Sequence, residues 1–194
     1  MKRVVITGLG TVNPLGSTVE KFWENVKKGT LGVSKIDSFD TTELGVSVAD
    51  FDPAEYFERK DIRHMERFTQ IAVASAIQAL QDAGTDFKDM DPYRVGTIIG
   101  CGIGGIGRIE EEHDKYRAKG PGRISPFFVP MMIGNMAAGP ASAATTSAPP
   151  LPVHRRLTPL AKRSARSRTA IWTFASAAAA NPPLPNSHWA ASAP

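Results

Sequence analysis

The run IIGCGIGGIG, residues 98–107, gathers five glycines around Cys101, the single cysteine of the chain. Three kinds of behaviour begin from such residues. Gly100, Gly102 and Gly105 satisfy the G-x-G-x-x-G spacing in which backbone amides at a helix start cradle a diphosphate. A thiol can act as a nucleophile if a base and an anion-stabilising pocket stand beside it, and His113 lies one expected helix away. The third reading is packing: glycines let backbone approach closely, and cysteine is a small buried residue.

The nucleotide reading needs an acidic residue about 20 positions on, at the tip of the next strand, to hold a ribose. Residues 118–130, AKGPGRISPFFVP, contain no acid. A second glycine pair, Gly8 and Gly10, has Asn13 where a third glycine would stand. No nucleotide and no other cofactor is therefore expected. His64 and His113 lack neighbours at metal-ligand spacing, so no metal is expected either. Glu110, Glu111 and Glu112 read as a solvated helix face.

These residues need elements to position them. KRVVITGLG is a β-branched run closed by Gly8 and Gly10, a strand entering a tight turn. GSTVEKFWENVKKG then follows a helix recipe, with Ser17 and Glu20 as a capping box, Phe22 and Val26 on one face and Gly29 at the end. A longer helix is predicted over 63–83, where Met65, Phe68, Ala72, Ala76, Leu80 and Ala83 recur at spacings of three and four before Gly84. RVGTIIG reads as a second buried strand and IGRIEEEHDKYRAKG as the helix after it. Strands alternating with helices predict an α/β domain with a mostly parallel sheet.

Charge divides the chain. All 17 glycines and all 19 acidic residues lie in 1–139, while 140–194 carries 15 Ala, 9 Pro and six Lys or Arg with no Asp or Glu. The tail's cations are scattered and pair with no recurrent aromatic pattern, so nucleic acid is not an expected partner. Its proline content and lack of apolar periodicity predict a disordered segment. No apolar run nears membrane-span length, the start reads as a strand rather than a secretory signal, and one cysteine precludes an internal disulfide. A cytoplasmic setting without a membrane is the expectation.

Four blocks carry a resemblance: RVVITGLGTVNPLG, FDPAEYFERKDIRHMERFTQIAVASAIQAL, RVGTIIGCGIGGI and ISPFFVPMMIGNMAAG. In this order they resemble the N-terminal part of the β-ketoacyl-acyl carrier protein synthases, in particular the type II condensing enzymes of bacterial fatty acid synthesis. The resemblance covers 1 to about 139. It implies a thiolase-like fold, of which residues 1–139 are most of the first α/β half, and a homodimer served by acyl carrier protein. It also implies an acyl-transfer reaction: an acyl chain moves to a cysteine thiol, malonyl-acyl carrier protein loses carbon dioxide, and the carbanion attacks the thioester. Under it Ile103 matches the position that gates the acyl pocket, and Phe128 a position contributed near the pocket floor across the dimer interface. Cys101 stands where the family has a small residue and is not its nucleophile.

The resemblance ends after Gly139. The family's cysteine segment would fall near 150–158, yet no cysteine follows Cys101, and its two histidines and lysine have no matching positions here. His154 and His188 lack the family context, so no catalytic residue is assigned and the chain alone is expected to be inactive. A shifted reading frame is one explanation. Thr169–Thr173, read two bases later, permits Gly-Asp-x-Asp-Val, which the family carries near this place. A natural disordered tail is the other. Two further functions stand beside the enzyme reading: a non-enzymatic fragment that binds a ketosynthase subunit or acyl carrier protein, and a nucleotide-binding α/β protein.

Overall fold

The structure, a computed structural model, describes residues 5–35, 44–46, 50–85, 87 and 95–141. Its elements run α1 (Val19–Lys28), β1 (Val33–Lys35), β2 (Leu44–Val46), α2 (Arg59–Ile62), α3 (Arg67–Ala83), α4 (Ile106–Lys119) and α5 (Phe128–Met132). Short 3-10 turns at Pro53–Glu55, Pro121–Arg123 and Gly134–Ala137 join them. β1 and β2 pair antiparallel, with Val33 opposite Val46.

α3 is the spine. Every residue from Phe68 to Ala76 is buried, so its first half is covered on all sides rather than along one stripe. Val12, Phe51 and Ala74 pack with Ile71, Ala137 packs with Phe68 and Ala72, and Ala141 packs with Val73 and Ala76. Burial of a side chain such as Ile71 contributes roughly 2 kcal/mol, which is why the groups converge on this helix. Gly84, at φ 64°, closes it as the sequence predicts.

The predicted start of α3 moves. Residues 59–62 form the separate short helix α2, and α3 begins only at Arg67. The buried Gln70 amide explains the break, since its Nε2 donates to the carbonyls of Ile62 (3.3 Å) and Met65 (2.9 Å), which a continuous helix would have used itself. The cap of α1 also moves by one residue. Thr18, not Ser17, accepts from the Lys21 amide, while the Ser17 carbonyl accepts from Gln78 at 2.7 Å.

The N-terminal glycines press on α3. A Cβ at Gly8 would fall inside the carbonyl oxygen of Ala79, and one at Gly10 inside that of Ser75. Two amides of this segment bond to α3 side chains: Leu9 to Asp82 at 2.8 Å and Thr11 to Gln78 at 3.0 Å. Helix contact, rather than a strand ladder, fixes this stretch, and Val5 and Ile6 are exposed. Among the described residues neither 5–10 nor 95–100 forms a named strand, and the only strand pairing between named strands is that of β1 with β2. Residues 1–4 and Arg94, parts of the two predicted strands, lie outside the described residues. So do 142–194, which hold nearly all of the expected tail with His154 and His188; Pro140 and Ala141 are helical, and Ala141 is buried.

Candidate functional site

The glycine run and α5 form one unit. Gly105 donates its amide to the Met132 carbonyl at 2.9 Å, and Gly104, at φ 90°, lies against the same carbonyl. Gly100, Gly102 and Gly107 face open space. The helix start that a phosphate would need is already taken: the Gly105 amide serves Met132, and the Ile106 amide bonds to Gly104. A carboxylate stands there too. Glu66 comes within 2.9 Å of where a Gly105 Cβ would lie, and its Oε1 accepts from Nε and NH2 of Arg108, each at 2.7 Å. An anion beside the positive end of α4 satisfies the helix dipole internally.

Cys101 packs against the α3 side of the core. It is half-buried against the Phe68, Ala72 and Ala137 group, and its Sγ lies 3.5 Å from where a Gly134 Cβ would be. His113 is exposed on α4, and His64 lays its ring on Phe127 with centroids 4.2 Å apart. Among the described residues no group of three His, Cys, Asp or Glu could hold a metal ion, and no helix is long and apolar enough to cross a membrane.

Ile103 and Phe128 come from different elements, and the fold connects them. Ile103 is 69% exposed on the glycine loop, next to Gly104. Phe128 is half-buried as the first residue of α5, whose last residue, Met132, takes the Gly105 bond. One turn of helix separates Phe128 from the residue that holds the glycine loop. An open cleft of about 330 Å³ elsewhere is lined by Leu9, Thr18, Tyr56, Gln78 and Asp82 among others. Two of its polar side chains are engaged within the fold, Gln78 to Thr11, Ser17 and Tyr56, and Asp82 to Leu9.

One functional-type residue departs from the sequence reading. Glu112, expected on a solvated face, is 2% exposed. Its Oε1 accepts from Lys115 Nζ at 2.6 Å and its Oε2 from the Ser125 amide at 2.7 Å. Glu111 beside it stays exposed and pairs with Arg108. The turn that folds back over α4 at 120–125 buries the third glutamate, and the available signal was its cations, Arg108 four residues before and Lys115 three after.

The Lys115 hydrogen bond, then the Ser125 amide, hold the Glu112 carboxyl below the usual carboxylate range. Lys115 and Arg108, the charges facing it, both favour the ionised form. A lowered carboxyl pKa makes the clamp's contribution whole above the ordinary range, and it is lost as pH falls from there through the lowered value. Hydrogen exchange at Ser125 should thus show opening that rises only across that acidic window. Glu112→Gln should remove the pH dependence, and an unchanged profile in that variant would refute the assignment.

The sequence profile described as "Beta-ketoacyl synthase, N-terminal domain" matches residues 1–148. The chain is 44% identical over 142 residues to 3-oxoacyl-(acyl-carrier-protein) synthase 2 of Vibrio harveyi, covering 71% of this chain and 34% of that protein. The enzyme of the same name from Staphylococcus aureus (strain N315) is 44% identical over 145 residues, covering 73% and 35%. The chain thus spans about a third of the length of these curated relatives. Among solved structures, a β-ketoacyl synthase from Burkholderia phymatum aligns with TM-score 0.60 at 29% identity, over 74% of this chain and 37% of that one. A type II PKS acyl-carrier protein in complex with its ketosynthase aligns with TM-score 0.61 at 26% identity, over 73% and 38%.

Proposed function

The chain belongs to the β-ketoacyl synthase family, and from that premise we propose that it carries the acyl-pocket side of a 3-oxoacyl-(acyl carrier protein) synthase of fatty acid synthesis. The observation that carries the reading is the union of the Ile103 loop with the Phe128 helix through Gly105 and Met132. Glycines at Gly100 and Gly102 leave open space beside Ile103, as a wall approached by an apolar chain requires. In this reading Ile103 gates the pocket, Phe128 is contributed across the dimer interface near the pocket floor, and the partners are acyl carrier protein and a second copy. The neighbour solved with its carrier protein supports the first of these. The β-type runs around Ile6 and Ile98 are proposed as strands of the mostly parallel sheet of a thiolase-like half-fold, in a cytoplasmic protein, with a folded unit that extends past 139 to include Pro140 and Ala141.

The condensation needs a thiol beside an anion-stabilising pocket. Cys101 is the sole thiol and packs against Ala137 and Gly134, which supports reading the chain by itself as inactive in acyl transfer. A non-enzymatic role in binding a ketosynthase subunit or acyl carrier protein is the second reading, favoured by the exposed apolar Val5 and Ile6.

Two measurements test these statements. An acyl-pantetheine with a diazirine at its chain end should label the Ile103 loop and the Phe127–Val129 stretch. Labelling concentrated at Leu9 and Tyr56 instead would refute the pocket. Incubation with acyl- and malonyl-acyl carrier protein should give no 3-oxoacyl product, and mass spectrometry should find no thioester on Cys101. An adduct there that disappears in Cys101→Ser would refute the inactivity.

A further inference from the structure

We propose that Arg108 and Glu66 are positioning residues for the Ile103 gate, their ion pair pinning the hinge on which it turns; this rests on the reading of Ile103 as the gate. The glycine loop is fixed on both sides of that residue. Before it, Cys101 packs against Phe68, Ala72 and Ala137. After it, Gly104 lies at φ 90° against the Met132 carbonyl, and the Gly105 amide donates to that carbonyl at 2.9 Å. Between these anchors a Cβ at Gly102 would meet nothing within 4 Å, and Ile103 is largely exposed. Motion at the gate is thus confined to the tip formed by Gly102 and Ile103. Whatever holds Gly105 decides how stiffly that tip is hinged.

Gly105 is wedged in place. A Cβ there would lie 2.6 Å from the Met131 carbonyl oxygen and 2.9 Å from Glu66 Cγ, so α5 and the Glu66 side chain both crowd it. Glu66, which directly precedes α3, is itself held: its Oε1 accepts from Nε and NH2 of Arg108, each at 2.7 Å. The two side chains are only 18% and 21% exposed, and a pair so far withdrawn from water is stronger than one in open solvent. The position of Arg108 runs against the local rule. It stands in the first turn of α4, which holds no acidic residue, and there the helix dipole disfavours a cation. Glu66 supplies the missing anion from the neighbouring helix start. The pair therefore joins the beginnings of α3 and α4 across the hinge, an arrangement that neither helix demands alone.

The test uses the full chain and a saturated acyl-pantetheine carrying a dansyl group at its pantetheine end, with binding followed by stopped-flow fluorescence. A gate is a barrier crossed on the way in and again on the way out. Loosening its hinge should therefore speed association and dissociation alike and leave Kd near the parent value. Arg108→Met should raise both rates about tenfold, the factor one charge-assisted hydrogen bond carries. Arg108→Lys, which can offer Glu66 one nitrogen in place of two, should fall between Arg108→Met and the parent. Glu111→Gln, which leaves the Glu66 contact intact, should match the parent. Ile103→Ala should speed both rates as well. If it does while Arg108→Met keeps the parent rates, the inference alone falls. It falls alone, too, if Arg108→Met weakens Kd through faster dissociation only, the mark of a merely structural role. Should Arg108→Met not fold with Glu66 left unpaired, the double variant Glu66→Gln/Arg108→Met takes its place, and parent rates there overturn the inference equally. Parent rates in Ile103→Ala, or a parent chain that binds no probe, would bring down the pocket reading and this inference together.

Discussion

Gly10→Ala should lower the urea midpoint of the chain far more than Gly29→Ala does. The added Cβ would fall inside the Ser75 carbonyl oxygen, 2.7 Å from the Ala79 nitrogen and 2.9 Å from the Gln78 Cβ. The first two are helix backbone, which cannot turn aside as a side-chain tip can. Retreat of the N-terminal segment is blocked as well. Leu9 and Thr11 on either side bond to Asp82 and Gln78, and Val12 is buried with Ile71. The clash must therefore be relieved by separating the segment from α3, which loses both hydrogen bonds and uncovers Val12.

Overpacking of this kind costs about 3 kcal/mol or more, a large part of the roughly 5–15 kcal/mol that holds a domain together. Gly29→Ala supplies the contrast. Its φ of 69° strains an alanine, but nothing lies within 4 Å, so the cost should stay near 1 kcal/mol. Urea midpoints of the two variants against the parent decide the matter, and a Gly10→Ala midpoint equal to that of Gly29→Ala would show that α3 does not press on this segment. The result bears on function also. A glycine needed for contact with a helix is not free to approach a pyrophosphate, so the pair Gly8 and Gly10 is accounted for without a ligand.

How much of this was legible beforehand depends on whether the determining interaction was local. The ends of α1 and α3 were, because Gly29 and Gly84 adopt left-handed conformations that their neighbours in sequence already demand. The start of α3 was not. The periodicity runs through 63–66, and only the Gln70 amide reaching back to Ile62 and Met65 separates α2 from it. The cap of α1 was displaced for a similar reason, since the Ser17 carbonyl is engaged by Gln78, 61 positions away. The order of family blocks identified the kind of protein, while the residue that ties Phe128 to α4 was hidden within three identical glutamates. Periodicity sees the face a residue occupies, and a turn folding back over that face is a long-range event.

The glycine run itself yields the second large effect, and it divides by position. Gly104→Ala should be severely destabilising, while Gly100→Ala and Gly102→Ala should be tolerated. All three stand in one six-residue stretch, GCGIGG, so composition and neighbours are nearly held constant. Gly104 alone combines a φ of 90° with a backbone neighbour, for a Cβ there would fall inside the Met132 carbonyl oxygen and within 2.9 Å of the Gly134 nitrogen. Gly100 and Gly102 have nothing within 4 Å. An alanine at Gly104 must therefore push the loop off α5, breaking the Gly105 bond to Met132 and loosening one end of the segment that carries Phe128. Strain and steric overlap together place the cost at about 3 kcal/mol or more, against a few tenths for the other two sites. Hydrogen exchange at Gly105 localises the effect, since its amide should lose protection in Gly104→Ala and keep it in Gly102→Ala. If the order were reversed, with Gly102→Ala the harmful change, the glycines would be serving close approach at the open side of the loop, and the link from Ile103 through Met132 to Phe128 would have to be abandoned.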